Sequence, residues 1–310
     1  MEIIKVPAAI GVRGYCVRLL RRGEPKFLPI HSRELREPVA EFFQKFFLDH
    51  ASSTTNEKKE RMWFFEELQR GNRGDSQGYI HYGTFGYQAA IIDSKTKKRN
   101  YIRKITDAEQ IPLFYDLWFP DGALFGLMAF QSFQGRSCKE LVYNKMREIF
   151  EEKNPGYTLG FRKLMPTQDS SSPFGDAPVK RLVLKRRSVS SDVAENYLGK
   201  IESVDLELTL SAQGRGSLGK LSHFVKKMKD TGSGILTYEG KDYEEALVEV
   251  KIGKKIRRIG LTDAEGDFGV IDITDNVEHG PDGHPTYTSV SSEIREILMK
   301  FHEILRDEKK

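Results

Sequence analysis

The sequence predicts an α+β chain of two domains, each a mainly antiparallel sheet with helices packed on it. Three observations lead there. Strand-like runs rich in aromatic and β-branched residues follow one another across short turns. Between them lie segments whose apolar residues recur three and four positions apart, the helical period. The segment 166–178 (PTQDSSSPFGDAP) offers Ser, Pro and Asp and almost nothing to bury, the composition of a linker or long surface loop. The expected division is 1–165, 166–178 as the linker, and 179–310. A length of 310 residues agrees with it, being too long for one ordinary core.

In the first part a strand is expected through Tyr15, Val17 and Leu19. Pro38 suits a first helical turn, and Val39, Phe42, Phe43, Phe46 and Phe47 after it give a helix with a Phe face. Met62, Phe65 and Leu68 suggest a second, short helix, broken by the Gly-rich 71–78. Four strands follow: 79–92, 99–105, 113–119 and 123–133, the last two flanking the turn Pro120-Asp121-Gly122. Short links favour an antiparallel meander. Ser137 with Glu140 reads as a capping box for a helix carrying Leu141, Val142, Met146, Ile149 and Phe150. Asn154-Pro155-Gly156 ends it, and 157–164 returns as a strand.

The second part repeats this style. Strands are expected at 179–185 and 204–210, with a short helix near Ala194 between them. Leu218, Leu221, Val225 and Met228 share one helical face. Strands at 235–238, 246–252, 256–261 and 270–273 follow. A last helix over 291–306 carries Ile294, Ile297, Phe301 and Ile304. Its near-heptad line with Glu and Lys flanks suits pairing with another protein or with a second copy of the chain.

Composition narrows the class. Charged residues are 30%, hydrophobic 38% and aromatic 11%, a folded globular mix. A net charge of +4 is too mild for a protein that coats DNA, so any polyanion site is a local patch. Cys16 and Cys138 lie far apart with no ligand-spaced partner, which points to a reducing compartment. The N-terminus lacks a leader pattern, and no apolar stretch approaches a membrane span. The expectation is a cytoplasmic protein with no membrane partner.

The strongest functional signal is the clustering of cations on three strand-like stretches: KTKKRNYIRK (95–104), KRLVLKRR (180–187) and KIGKKIRR (251–258). Apolar residues interleave with the charges, so one face can be buried while the other presents a row of cations, as a polyanion requires. The candidate nucleic-acid contacts are Lys97, Lys98, Arg99, Arg103, Lys180, Arg181, Lys185, Arg186, Arg187, Lys254, Lys255, Arg257 and Arg258, with Tyr79, Tyr82 and Tyr101 as stacking partners. The bland counterpart is an edge strand protected from aggregation by Lys and Arg, which explains one such strand more readily than three. The resulting expectation is a DNA- or RNA-binding protein, a sensor or adaptor in a bacterial multicomponent system, with no cofactor.

Other motifs are weaker. Glu249-Val250-Lys251 on an apolar strand, with Asp242 upstream, resembles the core of PD-(D/E)xK nucleases. The resemblance implies carboxylates holding Mg²⁺ or Mn²⁺ and a lysine positioning the attacking water. Against it, only six residues separate Asp242 from Glu249, and plain alternation would put Glu249 and Lys251 in water. Arg215 and Lys220 in GRGSLGK, between a strand and a helix, form an anion-binding candidate. Glu278, His279, Asp282 and His284 are potential metal donors, but their Gly and Pro neighbours read as a turn. Asp263, Glu265 and Asp267 resemble a calcium loop but lack its Gly and final Glu.

Overall fold

A computed structural model of the chain describes residues 9–24, 26–71, 73–165, 173–189, 204–214, 216–231, 236–238, 241–261 and 269–307. The elements, in chain order, begin with β1 (Ile10–Arg21), β2 (Phe27–Leu28), α1 (Val39–Asp49), β3 (Thr54–Asn56), β4 (Arg61–Arg70), β5 (Ser76–Thr84), β6 (Ala89–Ile92), β7 (Arg99–Arg103), β8 (Glu109–Trp118), β9 (Gly126–Phe133), α2 (Lys139–Lys153) and β10 (Tyr157–Lys163). They continue with β11 (Val179–Val189), β12 (Val204–Ser211), α3 (Leu221–Thr231), β13 (Leu236–Tyr238), β14 (Lys241–Tyr243), β15 (Glu245–Ile252), β16 (Lys255–Gly260), β17 (Ile271–Asp272) and α4 (Tyr287–Asp307). The chain is α+β, with a large antiparallel sheet content and four helices among the described residues. None of these helices is long and apolar enough to cross a membrane.

The chain packs as two compact units, and neither is continuous in sequence. One holds 17–130 and 137–160; the other holds 9–16, 131–136 and the described residues from 161 onward. Of the segment 166–178, residues 166–172 lie outside the described ones, and 173–178 fall inside the second unit. The rest of it is not bare linker, because Phe174 is buried edge-on against Phe301 at 4.8 Å.

In the first unit α1 follows directly on Pro38, whose φ of −56° suits the entry to a helix. The Phe face is real: Phe42, Phe43, Phe46 and Phe47 are all buried. Phe47 meets Phe65 edge-on at 4.8 Å and stacks on Tyr115 at 5.3 Å, contacts worth roughly 1 kcal/mol each beyond area burial. The antiparallel sheet beneath runs β9-β8-β5-β4-β3. The helix expected through Met62 and Leu68 is instead β4. There Trp63 and Phe65 alternate into the α1 core, and Leu68 is exposed. Tertiary burial with period two overrode an accidental spacing of three. The meander is also interrupted, because β6 and β7 form a separate two-stranded sheet between β5 and β8. No capping box forms at α2: its N-cap is Cys138, without a side-chain bond, and Ser137 Oγ accepts only the Lys139 amide at 3.4 Å.

In the second unit the antiparallel strands run β12-β11-β15-β16-β17, with the first half of β1 next to β17. Strand alternation puts Val248, Val250, Arg257 and Ile259 on one face. α4 covers that face, with Val290, Ile294, Ile297, Leu298, Phe301 and Leu305 buried. The expected zipper seam on this helix is therefore consumed by its own sheet. α3 begins at Leu221, so Leu218 precedes the helix. The helix expected near Ala194 lies outside the described residues.

Candidate functional site

The first basic segment is the β6–β7 hairpin. Its turn is tied by Asp93, whose Oδ1 accepts from the amides of Thr96 (2.6 Å) and Lys95 (3.0 Å) and from the Thr96 hydroxyl (2.9 Å). These bonds hold the Asp93 carboxyl below its usual range, the Thr96 amide being the largest cause. Ile91 pairs with Tyr101 and Ala90 with Ile102, and a register shift follows Ile91. Tyr87, Ile91, Ile92, Tyr101, Ile102 and Ile105 are all exposed. Lys95, Lys97, Lys98 and Arg99 are exposed too, and among the described residues no carboxylate pairs with any of them.

Arg103, expected as a phosphate contact, does something else. Only 5% exposed, it lies under the Tyr87 ring at 4.2 Å. Its Nε donates to the Asp107 carbonyl at 2.9 Å, and an Nη donates to the Thr84 carbonyl. It anchors the hairpin base and presents no free cation. Asp107 completes the anchor: it accepts from the Tyr101 hydroxyl and from the Lys104 amide at 2.8 Å. Both bonds lower its carboxyl, that of Tyr101 most. Of the expected stacking tyrosines only Tyr101 is available. Tyr82 is buried, and Tyr79 sits edge-on to Phe114 at 6.0 Å.

The second and third basic segments, β11 and β15–β16, meet in one sheet, and their register brings together a row the sequence does not reveal. Ser211 lies opposite Arg181, Arg181 opposite Glu249, Glu249 opposite Arg258, Arg258 opposite Asp272 and Asp272 opposite Gly11. Directly opposed residues share a face, so charges alternate across the strands on the side away from α4. Glu249, expected in water, has a side chain only 9% exposed, between Arg181 at 3.5 Å and Arg258 at 3.3 Å. Above the row lies a groove of about 540 Å³, walled further by Lys180, Ile256, Asp275 and Asn276. Gly11 leaves no room at its end of the row: a Cβ there would fall 2.3 Å from Val270 Cγ1.

Most cations of these strands carry partners. Lys185 reaches Glu207 at 3.6 Å, and Lys180 donates to the Gly216 carbonyl at 2.6 Å. Arg257, expected on the surface, is fully buried on the α4 face, where Nε and Nη2 meet Glu293 Oε1 at 2.8 and 2.6 Å. Lys255 pairs with the same Glu293 and approaches Glu296 at 3.7 Å. Lys254 is exposed at the turn and Arg186 half-buried; the side chain of Arg187 lies outside the described residues. Glu293, absent from any sequence motif, is the hub of the second unit's ion pairs. Its only sequence signal is an acid on the apolar line of α4.

The remaining candidates do not assemble. Asp242 is exposed on β14, in the small β13–β14 sheet, whereas Glu249 is in β15 and Lys251 is exposed beyond it. Among the described residues no group of three or more His, Cys, Asp or Glu side chains is placed to hold a metal ion. The 278–286 loop closes as a turn: Gly280 donates to the His284 carbonyl at 2.7 Å, the His284 amide to Asp282 Oδ1 at 3.0 Å, and the His284 ring packs on Phe133 at 4.4 Å. Lys220 pairs with Asp176 at 2.9 Å. Arg215, and the run Asp263, Glu265 and Asp267, lie outside the described residues. No protein-family model matches the chain, and no curated protein matches it.

Proposed function

We propose that this protein binds nucleic acid and that the β6–β7 hairpin is its contact element. One observation carries the reading: the cations at the hairpin's turn have no carboxylate partners among the described residues and stand beside an exposed tyrosine. A two-stranded ribbon fits the major groove of a duplex. Unpaired Lys and Arg neutralise phosphates and release counterions, and Tyr101 supplies a face for an unstacked base. The hairpin base, built on buried Arg103 and half-buried Asp107, fixes the ribbon to its sheet so that little ordering remains to be done on contact.

Fluorescence anisotropy with labelled duplex and single-stranded DNA and RNA tests this. Log affinity is expected to fall linearly with log salt, and Lys97→Glu/Lys98→Glu/Arg99→Glu is expected to weaken binding tenfold or more at low salt. The reading fails if the wild type binds none of the four probes at low salt, or if the triple variant binds as tightly as the wild type. No placement of Asp242, Glu249 and Lys251 favours the metal-dependent nuclease alternative.

A further inference from the structure

The groove over the charge row plays no part in the hairpin's role. We infer that it is a binding site for a phosphate-bearing, hydroxyl-rich ligand of mononucleotide size. Its volume of about 540 Å³ lies within the range that small-ligand sites occupy.

The charges in it are sorted by position. Lys180 and Arg181 lie on β11, at one side. Asp272 and Asp275 lie on and just after β17, at the other. Arg258 and Glu249 form the middle. Glu249 holds each guanidinium through a single long contact, 3.5 Å to Arg181 and 3.3 Å to Arg258. Tight charge-assisted pairs are shorter, about 2.7–2.9 Å. Each guanidinium carries five donors, and the two side chains are 55% and 43% exposed. Donors thus remain on both for an anion lying across the row, with Glu249 below setting their spacing.

The opposite side suits hydroxyls. Asp272 Oδ1 accepts from the amide (2.9 Å) and the hydroxyl (2.6 Å) of Thr274, so its orientation is fixed before a ligand arrives. Asp275, whose carboxylate also lies 4.0 Å from Arg258 Nη1, and Asn276 add acceptors beside it. Carboxylates there repel a second phosphate and accept from sugar hydroxyls, the division of labour by which an acidic residue reads a ribose. Ile256, 56% exposed in the groove wall, offers a large apolar contact for a base.

A free nucleotide and the end nucleotide of a strand share this chemistry. The test is isothermal titration of the full chain in the Lys97→Glu/Lys98→Glu/Arg99→Glu background, which separates the groove from the hairpin. The probes are inorganic phosphate, adenosine monophosphate, and an oligonucleotide with and without a 5′ phosphate. The groove reading expects saturable binding of the monophosphate, the phosphorylated oligonucleotide or both, at least tenfold tighter than phosphate. Arg181→Ala and Arg258→Ala are each expected to weaken it tenfold or more. Asp275→Asn is expected to weaken nucleotide binding severalfold without weakening phosphate binding. Equal affinity for nucleotide and phosphate, no saturable binding of either nucleotide probe, or binding unchanged by both arginine variants in chains that still unfold cooperatively would overturn it. Loss of binding in the hairpin variant to long nucleic acid alone bears on the hairpin, not on this site.

Discussion

The β6–β7 hairpin and the β11–β15–β16 strands begin from nearly the same composition, clustered Lys and Arg interleaved with Ile, Leu, Val and Tyr, and end in opposite electrostatic states. In the hairpin, Lys95, Lys97, Lys98 and Arg99 have no carboxylate partner among the described residues. In the sheet, Arg181 and Arg258 share Glu249, Lys185 has Glu207, and Arg257 and Lys255 share Glu293. The cause is the number of neighbours. A central strand has two register partners and a helix over one face, so carboxylates from distant parts of the chain can come to it. A two-stranded ribbon has one partner and open faces. A run of cations in a sequence therefore shows only that the charge is present; the topology decides whether it is neutralised at home.

Substitutions that break this contrast are expected to rank as follows. Glu293→Ala has the largest effect. It takes from buried Arg257 its nearer carboxylate, leaving Glu296 Oε1 at 3.5 Å, and losing one member of a buried pair destabilises by about 3–5 kcal/mol. Urea unfolding of the full chain measures it. Lys97→Glu/Lys98→Glu/Arg99→Glu, although it changes more charge, is expected to shift the same midpoint by no more than about 0.5 kcal/mol. A reversed order would mean that the hairpin cations are structural.

Arg103→Ala comes next. It leaves the Thr84 and Asp107 carbonyls without their donor, worth about 1–3 kcal/mol locally. Amide exchange across 89–103 is expected to accelerate, with exchange in β11 and β15 unchanged. Glu249→Gln is smaller, below about 1 kcal/mol, since its two arginines are about half exposed and screened by water. A loss like that of Glu293→Ala would show that the row is core rather than surface.

Acid gives the mildest perturbation. Folding lowers the Asp93 and Asp107 carboxyls. Their contribution to hairpin order is complete above the unfolded Asp value of about 3.9 and fades as pH falls from there through the lowered folded values. Chemical shifts of the Lys95 and Thr96 amides are expected to move over that acidic window and to stay constant from pH 5 to 7. A transition centred above pH 5 would contradict the bonding at Asp93.

What was legible in the sequence divides along the same line. Pro38 with the Phe quartet foretold α1, and Ile294, Ile297 and Phe301 foretold the buried stripe of α4, because a helix writes its packing in nearest neighbours. Strands do not. At β4 the buried pair Trp63 and Phe65 was masked by Met62 and Leu68, which imitate a helix. Glu249 with Lys251 resembled a nuclease motif because the local sequence cannot show the arginines at 181 and 258 beside Glu249. Glu293 and Arg257 lie 36 residues apart, and nothing local links them. The hairpin's composition was visible, but its separateness from the main sheet was not.

The broken assignment of chain to unit carries a consequence for synthesis. The first unit uses only residues between 17 and 160, so all of its parts emerge before most of the second unit has been made, and a domain generally folds as soon as its parts are out. The second unit waits. The first half of β1, made before any part of the first unit, pairs through Gly11 and Val12 with Asp272 and Ile271. For the interval in which the ribosome adds some 260 residues, that half-strand must be kept without its β17 neighbour, with the finished first unit attached to its C-terminal end. The unit that carries the groove is thus the later one to be completed, whereas the hairpin's residues are all made well before residue 165.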